Sequence, residues 1–427
     1  MTKEYTDKKG RPIVAITGSG VISSLGRGKA ENWANLTAGR SGIRQISRFP
    51  TEGLRTTIAG AVDFVSVEPN NGAQLVMSLA EIAATEALEQ AGLAGAQRFP
   101  GPLCLATPPA ELEWPLRREL FAACDDATLT GYQRLLAAAR TGKFQDQFHF
   151  FQFASVAEFL ADRFGTRGLP VSISTACASG ATAIQSGVEA IRRGETDTAL
   201  CIGTDASVQL EALIRFSLLS AISPQNDPPE KASKPFSKNR DGFIMAEGAG
   251  ALVLESLASA RARGAEVLGL VRGCGEKADD YHRTRSRPDG TAIIGAIRNA
   301  MEDADAAPEE IGYINAHGTS TPENDKMEYV SLKAVLGDHL DTTPISSNKS
   351  MIGHTLSAAG AIEAVFSLMT MQTGMLPPTI NYDMPDPDIP LDVVPNVARE
   401  AKAPIKAVLS NSFGFGGQNA CLVLGAA

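Results

Sequence analysis

Short apolar runs alternate with amphipathic stretches along this chain, and the rhythm repeats. Residues 12–26 read as a strand running into a glycine turn, and 74–92 as an amphipathic helix closed by Gly92. Strands follow at 102–106, at the β-branched run 171–174, read as buried, and at 197–202. Between the last two, Ala178, Ala181, Ile184, Val188 and Ile191 recur at helical spacing, and Arg192, Arg193 and Gly194 supply a stop. The later chain predicts a strand at 251–255, a charged helix at 256–264, a strand at 266–273 and a helix at 291–304. A strand at 311–316, helices at 322–336 and 354–373, and strands near 406–410 and 420–424 complete it. From 108 to 147 the pattern changes, and Trp114, Arg117, Arg118 and segment 134–140 predict a helical excursion. Strand and helix alternate on both sides of residue 260. The expectation is an α/β protein of two related halves, 1–260 and 261–427, in one body, since no Pro/Ser-rich linker parts them.

Composition narrows the function classes. The 427 residues are 44% apolar and 20% charged, ordinary for a globular protein, and the net charge of −9 argues against nucleic acid as the main partner. No apolar run is long enough to span a bilayer, and the polar N-terminus lacks the apolar core of a secretion signal, so a cytoplasmic location is expected. Six cysteines stand singly with no C-x-x-C pair, which predicts neither a zinc site nor a disulfide framework. Gly18-Ser-Gly20 looks like a dinucleotide loop, but Ser23 stands where the third glycine is needed for close helix approach.

Candidate chemistry gathers at the element ends. Cys177 falls where a strand turns into a helix, and unpaired N–H groups with the positive dipole end favour a thiolate there. It reads as a nucleophile, with a buried apolar thiol as the alternative. His317 stands where an apolar strand runs out; Gly318 gives the backbone room, and Thr321 and Pro322 suit an N-cap and first helical position. A histidine merely packed at a strand end remains open. His354 opens a helix rich in Ser, Ala and Gly, whose positive end disfavours imidazolium and leaves a neutral N–H donor. Lys349, just upstream, reads either as an electrostatic partner or as a solvated lysine. In 411–420, three glycines around two phenylalanines make a loop whose N–H groups suit an oxyanion hole.

Stretches 174–180, 240–250, 315–325, 349–360 and 411–417, in this order, resemble the β-ketoacyl-acyl carrier protein synthases of the thiolase superfamily, closest to the elongating type II group. The resemblance implies a five-layered αβαβα thiolase-like fold and an acyltransferase with a Cys177, His317, His354 site. Cys177 would carry the acyl chain as a thioester, and both histidines would stabilise the enolate left when malonyl carrier protein loses CO2. The product would be a 3-oxoacyl carrier protein in fatty acid elongation, including a specialised or very-long-chain branch. A polyketide-type ketosynthase and a non-catalytic carrier-binding module are the alternatives. By the same resemblance Lys349 supports the histidines and Glu328 belongs to a structural network behind them. The N–H groups of Cys177 and Phe415 form the oxyanion hole, Phe413 and Phe415 act as gate, and Thr319, Thr321 and Thr284 contact pantetheine or malonyl. No metal or bound cofactor is implied, because 4′-phosphopantetheine arrives on the acyl carrier protein; a homodimer is. His354 separates the chain from initiating synthases, which carry asparagine there, and Cys177 separates it from chain-length factors.

Two departures from the family pattern stand out. Segment 106–114 holds Pro108 and Pro109 where the family has a glycine-rich lining of the acyl pocket, which would reshape that pocket. Basic residues are missing ahead of the helix near 74; Arg117, Arg118, Arg134, Arg140 and Lys143 would dock an acidic carrier protein instead, or form a solvated helical face.

Overall fold

Two runs of five strands, each with the same order and the same directions, build the molecule. The computed structural model describes residues 3–69, 71–95, 98–109 and 111–427. The first run comprises β1 (Val14–Ser23), β2 (Leu103–Ala106), β3 (Val171–Ile173), β4 (Thr198–Asp205) and β5 (Gly248–Ser256). The second comprises β6 (Gly269–Ala278), β7 (Ile311–Asn315), β8 (Ile345–Ser346), β9 (Ala407–Phe413) and β10 (Gln418–Gly425). Their spatial orders are β3-β2-β4-β5-β1 and β8-β7-β9-β10-β6. In each run the two outer pairings are parallel and the two nearest the molecular centre antiparallel. β1 and β6 then pair antiparallel, Val14 opposite Val271, and join the runs.

Helices fill the layers on either side. α1 (Gly72–Gln90) covers β1 and β5 from outside, and α3 (Thr291–Ala304) covers β6 and β10. Between the two sheet halves lie α2 (Ser179–Arg192) and α5 (Ala359–Thr373), packed on each other and on both halves. α4 (Pro322–Leu336) lies beside α3. The result is the expected helix–sheet–helix–sheet–helix stack. α5 is apolar nearly all round, as a helix enclosed by sheets must be, and its Ile362, Val365, Phe366 and Leu368 are fully buried.

Backbone contact explains the glycines. A Cβ on Gly18 would lie 2.0 Å from the Ala87 carbonyl oxygen, and one on Gly20 2.1 Å from that of Ala83. The Gly18-Ser-Gly20 pattern is therefore a seat for α1 inside β1, not a turn and not a phosphate loop. Gly273 and Gly275 of β6 receive α3 in the same way, each at 2.2 Å from Ala300 backbone atoms. In the central layer, a Cβ on Gly180 would meet Ala361 N at 2.5 Å and one on Gly360 would meet Ala181 N at 2.5 Å. That reciprocity brings the starts of α2 and α5 together.

Some expectations shift. The run at 171–174 is not buried: β3 is a sheet edge and Val171 is 48% exposed, because apolar composition marks a strand without naming its neighbours. The helix expected from residue 354 starts at Ala359, after a 3-10 turn at Leu356–Ala358, since Gly353 and Leu356 both take positive φ. Strand 266–273 is displaced to Gly269–Ala278. The excursion forms helices at Trp114–Ala122 and Gly131–Arg140, and the helix at Leu210–Leu218 has no counterpart among the predicted elements.

Candidate active site

Cys177 sits in a turn that its neighbours lock. Ala176 takes φ 49°, the Ser179 hydroxyl donates to the Ala176 carbonyl at 2.6 Å, and the Thr175 N–H donates to that hydroxyl at 2.8 Å. The turn ends β3 and delivers Cys177 to the start of α2, buried beneath the helix N-terminus. His354 is clamped by its backbone, donating to the Ile244 carbonyl at 2.7 Å and accepting from the Ala246 N–H at 2.9 Å. Its Nε2 lies 3.1 Å from Cys177 Sγ, while Nδ1 accepts the Leu356 N–H at 3.3 Å. A neutral ring that accepts at Nδ1 carries its proton on Nε2, so His354 points an N–H at the sulfur.

His317 arrives from the end of β7. Glu328, on α4, accepts the N–H groups of His317 and Gly318 at 2.8 Å each and the Asn411 side-chain amide at 3.0 Å. The His317 ring stands edge-to-face with that of His354, centroids 5.3 Å apart, and 5.6 Å from that of Phe413. One donor atom from each of Cys177, His317 and His354 falls within 4.8 Å of the others. Lys349 is buried behind them and ion-paired with Glu363 of α5. Its positive charge beside the three donors opposes a metal cation in their midst.

A cavity of about 740 Å³ leads from this group to the surface. Phe413, Phe415, Thr319, Thr321 and Thr284 line it with Cys177 and both histidines, so the residues singled out from sequence do come together. Thr319 and Thr321 share a hydroxyl contact of 2.9 Å, and Thr321 caps α4 by accepting the Asn324 N–H. Thr284 stands near the mouth, its N–H donating to His282 Nδ1 at 3.1 Å. None of the excursion's described residues lines this cavity. Arg117 bonds to Glu111 and the Leu112 carbonyl, and Arg134 to the carbonyls of Phe121 and Cys124, so both serve their own segment. Of segment 106–114, residue 110 lies outside the described residues; Pro108 and Pro109 line a separate cavity of about 70 Å³ with Glu211 and Arg215.

Comparison with known proteins agrees with this geometry over nearly the whole chain. The models of the β-ketoacyl synthase N-terminal and C-terminal domains match residues 12–260 and 268–383. The chain belongs to the β-ketoacyl synthase family. The tetracenomycin polyketide synthase ketoacyl synthase alpha subunit of Streptomyces glaucescens is 37% identical over 418 residues, 96% of either chain. The 3-oxoacyl-[acyl-carrier-protein] synthase 2 of Coxiella burnetii is 36% identical over 421 residues, covering 96% of this chain and 98% of the relative. Among solved structures, a type II polyketide ketosynthase in complex with its acyl carrier protein superposes with a TM-score of 0.86 at 33% identity, over 98% of this chain and 100% of that one. The ishigamide ketosynthase/chain length factor gives 0.83 at 35%, with the same coverage. This β-ketoacyl synthase is thus a condensing acyltransferase with a thiolase-like fold, and Cys177, His317 and His354 form its triad-like group.

Burial governs the electrostatics of the synthase site. It pushes the pKa of His317 and His354 well below the usual histidine value, and Lys349 adds to the effect. Both rings are held neutral. For His354 the cause is burial and Lys349 rather than the helix end expected from sequence, because the helix begins five residues later. The Cys177 thiol is pushed up to about 11 by burial, against the opposing pull of Lys349 and of the Phe415 N–H hydrogen-bonded to the sulfur. The thiolate expected from the helix position is therefore not the resting form; desolvation outweighs the dipole. Burial also raises Glu328 and Glu363 to about 7 and Asp205 to about 6.

Two site residues escaped the sequence reading. Glu363 is the one charged residue in the apolar helix α5, a signal that a buried partner must exist. Asp205 ends β4 and accepts the N–H groups of Ser207 at 2.9 Å and Ser357 at 3.0 Å, fixing the turn ahead of α5. An acid at a strand end looks in sequence like any loop residue.

Proposed function

We propose that this synthase lengthens an acyl chain by two carbons on an acyl carrier protein, in fatty acid elongation, including a specialised or very-long-chain branch. Cys177 sulfur attacks the thioester carbonyl of an acyl group borne on carrier 4′-phosphopantetheine. The N–H groups of Cys177 and Phe415 hold the oxyanion, and the carrier thiol leaves with the proton. Malonyl carrier protein then enters. Its carboxylate departs as CO2, and the electron pair left behind forms an enolate whose oxygen accepts N–H donation from His317 and His354. The enolate carbon attacks the Cys177 thioester, the new C–C bond forms as the C–S bond breaks, and 3-oxoacyl carrier protein results.

One observation carries this reading: two buried, neutral imidazoles converge with a cysteine, and one presents its N–H to the sulfur at 3.1 Å. Neutral donors strengthen as oxygen gains charge, which is the need of a decarboxylation. In this scheme Lys349 keeps the pair neutral, Glu328 orients His317, Phe413 and Phe415 gate the passage between acyl and malonyl sites, and Thr319, Thr321 and Thr284 guide the pantetheine arm. No cofactor of the chain's own is needed. The open edge of β3 supports a homodimer formed there. No helix among the described residues is long and apolar enough to cross a membrane, in keeping with action in the cytoplasm.

A polyketide-type ketosynthase is the second reading, favoured by the 37% identity to the tetracenomycin alpha subunit. Product length separates the two: one condensation per cycle for elongation, several unreduced condensations for a polyketide. For the shared chemistry, intact-mass measurement should show an acyl thioester on the wild-type chain and none on Cys177→Ala. His317→Ala and His354→Ala should still acylate but lose malonyl decarboxylation by about a hundredfold or more. A wild-type chain that never gains acyl mass would sink the proposal.

A further inference from the structure

The run His282-Arg283-Thr284-Arg285-Ser286-Arg287 has a role that catalysis does not absorb. Residues 282–286 of it line the outer part of the cavity whose floor is Cys177, and Lys326 of α4 lines the same cavity. Arg283, Arg285 and Lys326 are exposed whereas Cys177, His317 and His354 are buried, so the cations mark the rim. Arg287 is spent on Asp280 at 2.6 Å, but among the described residues Arg283, Arg285 and Lys326 form no ion pair. The carboxylates lining this cavity are Asp241, Asp279 and Glu323. Asp241 is taken by the Ser223 hydroxyl and the Gln225 amide, and Asp279 by the N–H groups of Tyr281 and Arg287. Glu323 is the one of these three with no hydrogen-bonded partner among the described residues, and none of the three is ion-paired with Arg283, Arg285 or Lys326.

The rim also has a fixed backbone. The Gly416 N–H donates to the Arg283 carbonyl at 2.8 Å, and the Asp279 N–H to the Gly417 carbonyl at 2.7 Å, pinning the basic run to the glycine loop above Cys177. Free guanidinium groups on such a rim suit a phosphate, which accepts paired hydrogen bonds from them.

We propose that Arg283 and Arg285, with Lys326 across the mouth, receive the phosphate of the phosphopantetheine arm as its thioester end reaches Cys177. This rests on the proposed function, and it moves recognition from the helices at 114–122 and 131–140 to the cavity rim. The phosphate belongs either to a carrier protein's prosthetic group or to coenzyme A.

Two small thioesters that differ only in the phosphate test it: acyl-pantetheine and acyl-4′-phosphopantetheine, with acylation of Cys177 read by intact mass over time. In the wild type the phosphorylated donor should have the lower KM, by about tenfold. Arg283→Ala/Arg285→Ala should erase that difference and leave acylation by acyl-pantetheine unchanged, which also shows that the variant is folded. Arg118→Ala/Arg140→Ala should behave as wild type. Acyl carrier protein and acyl-coenzyme A, run side by side, identify the source as the donor whose rate falls in the rim variant. Equal KM values for the two small donors in the wild type, or a difference that survives the rim variant, would overturn the assignment. If no thioester acylates the wild type, the condensing function itself fails and this site falls with it.

Discussion

The turn before α2 and the turn before α5 are the same structure with different tasks. Ala176 stands four residues ahead of Gly180 and Leu356 four ahead of Gly360, and they take φ 49° and 44°. The two glycines then press the helices together by reciprocal backbone contact. After the strained residue, the first turn holds Cys177 and the second holds Ser357, whose N–H is tied to Asp205. A duplicated scaffold has divided its labour. One copy offers the nucleophile, and the other copy's turn carries His354, with Lys349 and Glu363 behind it. Burial at the joint between copies is what makes both histidines neutral donors, so neither half alone would hold such a site.

The largest test of this division is Lys349→Met. It leaves Glu363 buried without its cation, and a fall in unfolding free energy of about 3–5 kcal/mol is expected in denaturant titration. Lys349→Met/Glu363→Leu should regain most of that stability while decarboxylation by the histidines changes, which would separate the electrostatic role from the structural one. Equal recovery of both would assign the pair to packing alone.

A second test uses pH. The Cys177 thiol is pushed up to about 11, so the thiolate fraction still grows at neutral and mildly alkaline pH. Acylation by a small thioester should therefore rise roughly tenfold per pH unit between about 7 and 9. A plateau below pH 8 would mean that the helix end and Lys349 outweigh burial after all. The same shift has a stability sign. The folded state holds this proton more tightly than the unfolded chain, so its contribution is full below the ordinary cysteine pKa and is lost as pH rises toward 11.

The smallest effect belongs to Ser357→Ala. Its backbone N–H, not its hydroxyl, bonds Asp205, so acylation and decarboxylation rates should stay within about threefold of wild type. A loss comparable to that of Cys177→Ala would show that the second turn takes part in chemistry and break the comparison.

Most elements were legible because each has a period and an end signal. Helix 291–304 was read to the residue, and Thr321 and Pro322 marked the start of α4. The site residues Cys177, His317 and His354 were legible as motifs at element ends. Less legible was anything set by a neighbour distant in the chain. Val171 reads as core yet lies at an edge; Gly18 and Gly20 read as a turn yet seat a helix; the 106–114 prolines said nothing of which cavity they would line.

The sequence by itself determined the alternation of strand and helix, and which residues stand where a strand gives way to a helix, because local backbone preference and periodicity settle those. Only the tertiary structure decided that the Cys177 thiol stays protonated, that both histidines stay neutral, that Lys349 is paired with Glu363, and that three free cations ring the mouth. Those properties come from burial and from charges brought close by the fold, and neither quantity exists until the two sheet halves close over α2 and α5.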